Sequence, residues 1–255
     1  SSWLRCCARW AAWLRLAAMH IERLPRFPLA QLPTPLEAMP ALSRELGGPT
    51  LLIKRDDQTG LALGGNKSRK LEFLVGDALA KGCDTLVTMG AAQSNHCRQT
   101  AAAAAKAGLQ CELILNGTKP EIRNGNLLLN ELFGANEHWI ERSQRAAKLR
   151  ELADQLRVRG RKPYLIPVGG TNGVGATGYV VAMLELMAQL SASKQPVDHI
   201  VFGSSSGGTQ AGMVVGARVA GFTGRLHGLS IDKDDPEHEE YEIEVAQIAN
   251  ACAGY

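Results

Sequence analysis

The sequence predicts an α/β protein with open, mostly parallel sheets and helices on both faces. Short runs rich in Val, Ile and Leu alternate with longer segments of helical composition, and several of these segments end at a glycine. Parallel strands need such helical crossovers, and covering both sheet faces makes the strands almost continuously apolar. With 255 residues and 45% apolar composition, the chain can bury one large core or two small ones.

The order of elements follows from the same pattern. The proline-rich segment after Pro25 is expected to be extended. The predicted strands are 50–56, 85–90, 111–115, 137–140, 163–170, 198–203 and 226–231. The predicted helices are 68–82, 95–108, 124–134, 143–160, about 175–190 and 209–221. The alanine run 101–105 favours the second helix, and Gly108 ends it.

Charge and cysteine content exclude several partners. The 28 basic residues nearly balance the 25 acidic ones, and they are scattered, so nucleic acid is not an expected partner. The six cysteines form no CxxC pair, so we expect no metal site, a reducing compartment, and packing roles for Cys83, Cys97 and Cys111. No apolar run reaches the roughly 20 residues of a bilayer span, so no membrane partner is expected.

The first 18 residues differ from the rest because they lack acidic residues and carry Arg5, Arg9 and Arg15. They could be a transit peptide to an organelle, a surface helix, or sequence upstream of a start at Met19. We favour the last interpretation and exclude 1–18 from the fold. The expected localisation is then cytoplasmic.

The loops after the strands are where an α/β protein binds ligands. In "GGNK", Gly64 and Gly65 can adopt backbone angles closed to other residues and leave room for a flat ligand. Lys67 would project into that room, where desolvation would make its amine a nucleophile toward aldehydes. The alternative is a solvated lysine beside a glycine turn.

The second loop, 90–100, lies between a strand and the alanine-rich helix. Ser94 is placed as an N-cap, and the free amides after it attract carboxylate or phosphate groups. Gln93, Asn95 and His96 add side-chain donors. Alternatively, Ser94 only caps the helix while Asn95 and His96 hold the loop together.

The third loop, 203–212, follows a buried strand and opens a helix. Its small residues, "GSSSGGTQAG", allow consecutive amides to form an anion nest at a helix N-terminus. It lacks GxxxxGK[ST] and a clean GxGxxG, which disfavours nucleoside triphosphates and dinucleotides. A phosphate on a smaller cofactor fits better, and with the lysine and carboxylate sites this points to pyridoxal 5′-phosphate.

Four stretches carry a family resemblance: "GGNKSRKLEFL", "GAAQSNHCRQTAAAAAKAGL", "PVGGTNGVGATGYV" and "SSSGGTQAGMVVG". They closely resemble the D-cysteine desulfhydrase and 1-aminocyclopropane-1-carboxylate deaminase family of fold-type II (tryptophan synthase β-like) pyridoxal-phosphate enzymes. The resemblance implies a large domain of 19–70 and 184–255 and an inserted small domain of 71–183. It also implies a cofactor between the domains and a homodimer.

The resemblance also implies a role for each matching residue. Lys67 would carry the internal aldimine, Ser94 would transfer protons, and Asn95 would lie beside the pyridoxal 3′-oxygen. Residues expected at the cofactor phosphate are Lys70, Ser205, Ser206, Gly207, Gly208 and Thr209. Residues expected at the carboxylate of a small amino-acid substrate are Gln93, Ser94, Asn95 and His96.

The implied reaction converts D-cysteine to pyruvate, hydrogen sulfide and ammonia, with 1-aminocyclopropane-1-carboxylate deaminase and L-cysteate sulfo-lyase as alternative activities. Members of the family continue beyond the position of Tyr255, and neither Tyr241 nor Tyr255 can be matched to their active-site tyrosines. The chain is therefore expected to be a fragment or a shortened protein. A non-catalytic cofactor-binding protein is the alternative of another class.

Overall fold

The computed structural model describes residues 20–231 and 238–255, so the N-terminal extension at 1–18, whichever of its three interpretations holds, lies outside the described residues. Contacts divide the chain into two compact units. One consists of residues 25–171; the other combines residues 20–24 with the described residues after 171. The division predicted from the sequence, 19–70 with 184–255 against 71–183, stays a prediction.

The unit of residues 25–171 contains a four-stranded parallel sheet with the order β5-β4-β3-β6 and a short antiparallel pair, β1-β2. Its strands are β1 (Leu36–Ala38), β2 (Leu52–Lys54), β3 (Thr85–Gly90), β4 (Gln110–Asn116), β5 (Asn136–Ile140) and β6 (Pro163–Leu165). Its helices are α1 (Pro40–Leu46), α2 (Lys67–Ala80), α3 (Asn95–Ala107), α4 (Gly125–Leu132) and α5 (Arg145–Val158).

Strand β3 forms the centre of this unit and is buried along its whole length. Val87 and Met89 pack in one cluster with Leu152 and Leu156 of α5. Thr88 points to the opposite face, since side chains alternate along a strand, and it bonds to a side chain of α3. Helices therefore cover both faces of the sheet, which confirms the predicted fold class.

Glu72, on α2, forms hydrogen bonds that hold the N-terminal segment of this unit against the helix. Its buried carboxylate accepts hydrogen bonds from the guanidinium of Arg26 at 2.6 and 2.8 Å and from the amides of Leu29 and Ala30 at 2.9 Å each. A buried carboxylate needs such a set of donors. The extended segment predicted after Pro25 is thus held against the helix that begins with Lys67.

The second unit contains a parallel strand pair and three packed helices. Its elements are β7 (His199–Ser204), β8 (Arg225–Ser230), α6 (Gly173–Ser193), α7 (Gly208–Ala220) and α8 (His238–Ala253). Helix α6 is long and apolar enough to cross a membrane by those two criteria, but 61% of its most apolar window is buried inside the protein. Such burial is typical of a core helix.

Most predicted elements are present with boundaries within about three residues, whereas β1, α1 and α8 were not expected from the sequence. The strand expected at 163–170 was too long, because β6 ends at Leu165. Pro167 has no amide hydrogen to donate, and Gly169 adopts a φ of 69°, so the chain turns at Val168–Gly170 instead.

Candidate active site

The "GGNK" loop depends on its glycines for a packing reason. A Cβ on Gly64, which has a φ of 74°, would clash with the carbonyl oxygen of Asp57. A Cβ on Gly65, which has a φ of 123°, would lie 2.6 Å from Nε2 of Gln99. On the side of the backbone where a side chain would lie, the space beside both glycines is therefore filled by the protein itself.

Polar side chains from two other segments hold this loop in place. The hydroxyl of Thr59 donates to the carbonyl of Gly65 at 2.9 Å and accepts from its amide at 2.8 Å. Arg98, on α3, donates from Nη2 to the carbonyl of Gly64 at 2.9 Å. The loop that precedes Lys67 is thus fixed from both sides.

Two lysines lie one turn apart at the start of α2. Lys67 is the first residue of this helix, and its Nζ donates to Oδ1 of Asn66 at 3.1 Å. Lys70 is buried and donates from Nζ to the carbonyl of Gly169 at 3.3 Å. Among the described residues, neither ammonium forms an ion pair, whereas Arg69 between them is paired with Asp56 at 2.8 Å.

Burial sets the charge state of both lysines. Burial lowers the pKa of Lys67, and burial together with the charge of Lys67 lowers the pKa of Lys70 well below its usual value. The positive potential at a helix N-terminus is also unfavourable for cations. The site therefore contains two lysines whose ammonium groups lose a proton more easily than usual and which have no anion beside them in the described part of the chain.

The loop after β3 shows the predicted cap. Ser94 accepts from the amide of Cys97 at 3.2 Å through Oγ, as the N-cap of α3. A Cβ on Gly90 would come within 2.8 Å of this hydroxyl oxygen, so the glycine allows the serine to approach the end of the strand. Ser94 is half-buried, and its cap bond leaves its hydroxyl hydrogen available for another acceptor.

Gln93 and Asn95 connect this loop to the start of α4. Gln93 donates to Oδ1 of Asn124 at 3.0 Å and accepts from the amide of Asn126 at 2.8 Å. Asn126 donates to Oδ1 of Asn95 at 3.0 Å. These bonds correspond to the alternative expectation that the loop residues hold the loop together, and the substrate-binding roles of Gln93 and Asn95 stay predictions.

His96 is buried on α3 and has a defined tautomer. Its Nε2 lies 2.8 Å from the hydroxyl of Thr88, which donates its single hydrogen to the carbonyl of Ile166 at 2.9 Å. With its hydrogen on that carbonyl, the hydroxyl accepts from Nε2–H, and the hydrogen bonds thus assign the tautomer in which Nδ1 carries no proton. Nδ1 is buried and has no hydrogen-bond partner in the described part of the chain.

The same ring stays neutral at physiological pH. Burial, and then the charges of Lys67 and Lys70, lower the pKa of His96 to about 3. A neutral ring with a bare Nδ1 accepts hydrogen bonds there and cannot donate one to a carboxylate. The expectation that the His96 side chain supplies a donor to the substrate carboxylate does not fit this tautomer.

The third loop lies between β7 and α7, in the second unit. The helix begins at Gly208 after Gly207, whose φ is 74° and whose Cβ, if present, would lie 2.9 Å from Val245. At the end of β7, the hydroxyl of Ser204 lies 2.6 Å from that of Tyr241 on α8. Glycine is thus required here, and amides at the start of α7 are available to an anion.

The sequence-predicted residues of this loop lie on either side of Gly207. Ser205 is exposed, Gly208 is buried, and Ser206 and Thr209 are half-buried. They belong to the unit that includes residues 172–255, whereas Lys67, Lys70 and the 90–100 loop belong to the other. Each unit by itself thus offers groups for an anion, and only the lysine-bearing unit offers the amine.

These residues suit the two groups that define pyridoxal phosphate. An amine of lowered pKa suits its aldehyde. Lysines without an ion pair among the described residues, together with free amides, suit its phosphate. Within 20–231 and 238–255, no group of three or more potential metal ligands is present. Sequence reasoning missed Thr88, Arg98 and Tyr241. Of these three, only Thr88 could have been noticed in the sequence, because it is a polar residue within an apolar strand.

Comparisons with known proteins identify the family of the chain. The family model described as "Pyridoxal-phosphate dependent enzyme" matches residues 28–246. A D-cysteine desulfhydrase of Klebsiella pneumoniae subsp. pneumoniae is 46% identical over 224 residues, covering 86% of this chain and 68% of that protein. One of Salmonella choleraesuis is 45% identical over 234 residues, covering 89% and 71%.

Solved structures show the same relationship. The crystal structure of an ACC deaminase homologue superimposes with a TM-score of 0.80 at 36% identity, covering 96% of this chain and 72% of that chain. The crystal structure of a threonine deaminase has a TM-score of 0.60 at 22% identity and covers 87% and 63%, which is a likeness of fold alone.

Proposed function

The chain belongs to the pyridoxal-phosphate dependent enzyme family, and from this premise we propose that it is a D-cysteine desulfhydrase. The reaction consumes D-cysteine and water and releases pyruvate, hydrogen sulfide and ammonia. The observation that carries the proposal is the pair of lysines at the start of α2, Lys67 half-buried and Lys70 buried, which have no ionic partner among the described residues. This pair supplies the nucleophilic amine and the positive charge that the cofactor needs.

In this proposal Lys67 binds the cofactor covalently, and its partly buried amine loses a proton easily enough to act as a nucleophile and later to move protons. When bound, the cofactor supplies an electron sink for the carbanion at Cα of the substrate. Ser94 moves protons beside the substrate through the hydroxyl hydrogen that its cap bond leaves unused.

The remaining predicted residues orient the ligands. In the unit of residues 25–171, Lys70 is the group proposed to balance phosphate charge. In the other unit, the groups proposed for phosphate are the amides and hydroxyls of Ser205, Ser206, Gly207, Gly208 and Thr209. Asn95 lies at the cofactor 3′-oxygen. The substrate carboxylate is held by Gln93, Ser94 and Asn95 and by the free amides at the start of α3, rather than by a His96 donor.

We further propose a homodimer that works in the cytoplasm on a small amino acid. The support for a reducing compartment is that Cys83, Cys97, Cys111 and Cys252 are free thiols, three of them buried. Burial raises the pKa of Cys97 to about 12, which keeps that thiol unreactive.

A 1-aminocyclopropane-1-carboxylate deaminase is the second candidate, because a homologue of that enzyme matches 96% of the chain. Side-by-side assays separate the two activities. Pyruvate and sulfide from D-cysteine are the expected products, whereas release of 2-oxobutanoate from aminocyclopropane carboxylate would favour the deaminase. Sulfite from L-cysteate would favour the third activity considered.

Two variants test the residue roles. Lys67→Ala is expected to abolish the visible absorbance of lysine-bound pyridoxal phosphate, and Lys106→Ala, an exposed lysine at the end of α3, serves as the matched control. Ser94→Ala is expected to retain that absorbance and to lower turnover by roughly 100-fold or more. An unchanged band in the first variant or an unchanged rate in the second would remove the residue from its role.

A further inference from the structure

Resting on the proposed role of Lys67, we propose that Nδ1 of His96 is the hydrogen-bond acceptor for the ε-amino group of Lys67. Thr88 is then a positioning residue that keeps this nitrogen free of a proton. Both residues have features that the proposed function does not explain: Thr88 lies in the apolar strand β3, and the His96 ring cannot donate to a carboxylate in its present tautomer.

A chain of two hydrogen bonds orients the His96 ring. The carbonyl of Ile166 can only accept, so it takes the hydroxyl hydrogen of Thr88, and Thr88 in turn takes the proton on Nε2 of His96. Both bonds join buried atoms, so the direction of each is set by the protein. The ring is therefore fixed with Nδ1 as a lone-pair acceptor.

The acceptor Nδ1 of His96 receives no hydrogen bond from the described residues. Nδ1 is buried and lacks a partner in the described part of the chain, and His96 is 5% exposed. A buried acceptor without a donor destabilises the folded protein. A buried acceptor without a partner, in a cluster of polar groups, indicates that a donor approaches it when the site binds its ligands.

The donor must come from the start of α2, which hydrogen bonds hold against α3. Arg98 donates to the carbonyl of Gly64 at 2.9 Å, and Ser68 donates to Oε1 of Gln99, one turn after His96, at 2.9 Å. The charges of Lys67 and Lys70 lower the pKa of His96, which agrees with this placement. Lys70 already donates to the carbonyl of Gly169. Lys67 uses one of its three ammonium hydrogens for Asn66, at 3.1 Å, which leaves two for other acceptors.

The consequence concerns the direction of the Lys67 lone pair. An amine that donates one hydrogen to Asn66 and another to His96 has its lone pair directed away from both. A neutral acceptor achieves this without adding a charge, whereas a protonated imidazole would be a third cation beside Lys67 and Lys70. The Thr88 bond prevents the tautomer that would turn Nδ1 into a donor.

The tautomer is tested by ¹⁵N NMR of the full chain after hydroxylamine has removed the cofactor. In the wild type, His96 is expected to show a protonated Nε2 and an unprotonated Nδ1. Thr88→Val is expected to populate the other tautomer measurably. Thr100→Val is the matched control, since this buried hydroxyl bonds to the His96 backbone carbonyl and not to the ring. A protonated Nδ1 in the wild type would overturn the proposal.

The acceptor role is tested by titrating Lys67 in the same cofactor-free protein. The pH dependence of Lys67 acetylation, followed by peptide mass spectrometry, gives the pKa of its amine. His96→Phe keeps an aromatic ring but removes the lone pair, and it is expected to lower the pKa of Lys67 by about 0.5 to 1 unit, the equivalent of one hydrogen bond. An unchanged pKa in a variant with a wild-type circular dichroism spectrum would sink the acceptor role.

These outcomes are separable from the proposed function. If Lys67→Ala keeps the visible absorbance, the cofactor role of Lys67 fails, while the NMR and titration results still decide the His96 contact. If the absorbance is lost but the pKa of Lys67 does not respond to His96→Phe, only the further inference fails.

Discussion

At the scale of single residues, Lys70 connects the electrostatics of the site to the stability of the protein. It is a buried ammonium with no ion pair among the described residues and with the charge of Lys67 nearby. A buried charge without an anion destabilises the folded state, and the same charge binds an anionic ligand well. Substitution should therefore change stability and cofactor affinity in opposite directions.

We predict that Lys70→Met raises the unfolding free energy of the cofactor-free protein by about 1 to 2 kcal/mol. It should also weaken pyridoxal phosphate binding roughly 10- to 100-fold, as expected for a lost charged hydrogen bond. Urea unfolding and fluorescence titration measure the two effects. Lys81→Met, at an exposed site, is the control. Equal cofactor affinity in Lys70→Met and wild type would contradict the phosphate role.

The buried His96 ring makes the unfolding free energy of the protein depend on pH. Its folded pKa of about 3 lies below the ordinary value of 6.5, so as pH falls the unfolded chain takes up a proton before the folded one does. Its contribution is thus fully present above pH 6.5 and is lost progressively toward pH 3. Between about pH 7 and pH 5 this amounts to a loss of about 2 kcal/mol.

The measurement is the unfolding free energy of the cofactor-free protein at about pH 7 and about pH 5. His96→Phe should lose less stability over this range than the wild type, by about the stated amount, whatever its stability at the higher pH. His20→Phe, at an exposed histidine outside the site, should behave as the wild type. Parallel pH dependence in His96→Phe and wild type would show that the folded ring takes up the proton as readily as the unfolded one.

At the scale of elements, the sequence predicted those whose pattern is local. Strand β3 was placed without error at 85–90, because its apolar run ends at residues that favour turns. Helix α3 was placed within one residue, because Ser94 caps it and Gly108, with a φ of 70°, ends it. In contrast, β1 has only three residues and exists through its pairing with β2, which no local pattern encodes.

The packing of α6 against α7 depends on two glycines whose role the sequence did not reveal. A Cβ on Gly212 would clash with the carbonyl oxygen of Ala176, and one on Gly216 would lie 2.6 Å from Cβ of Met183. Because the first obstacle is backbone, relief would require the helices to separate. The start of α7, which carries the anion-binding amides, is positioned by this contact.

We predict that Gly212→Ala lowers the unfolding free energy by about 3 kcal/mol, since overpacking in a tight core typically costs about 1 to 3 kcal/mol or more. Thermal and urea unfolding measure the loss. Gly254→Ala lies in the same unit, where a Cβ would meet its nearest atom at 3.5 Å, and is expected to be neutral within about 0.5 kcal/mol. Equal stability of the two variants would mean that α6 and α7 are not in close contact.

At the scale of the whole molecule, the sequence located the chemistry better than the contacts that arrange it. The lysine, the Ser94 cap and the glycine-rich loop were visible because each is a local motif with a physical purpose. The bond between Thr88 and His96 was not, and neither was that between Ser204 and Tyr241, 37 residues apart. Such bonds join segments that only the folded chain brings together, so their partners cannot be identified by inspecting one sequence.

The last prediction concerns the outer face of the parallel pair β7-β8. Val201, Leu229 and Ile231 are 61%, 57% and 67% exposed and lie on one face of this pair, because Gly203 pairs with Leu229 and side chains alternate. Parallel strands are normally covered on both faces, so this apolar face is unusual and should bind hydrophobic dyes.

We predict that Leu229→Lys combined with Ile231→Lys lowers the fluorescence of bound anilinonaphthalene sulfonate at least twofold and raises the solubility limit in ammonium sulfate. The unfolding free energy should change by less than about 0.5 kcal/mol per substitution, as is usual at exposed sites. Val158→Lys is the control, because Val158 is 88% exposed and ends α5, in the unit of residues 25–171. Dye fluorescence that does not differ between the double variant and this control would mean that the β7-β8 face is covered in solution, and that the surface seen in this chain is not the one that solvent meets.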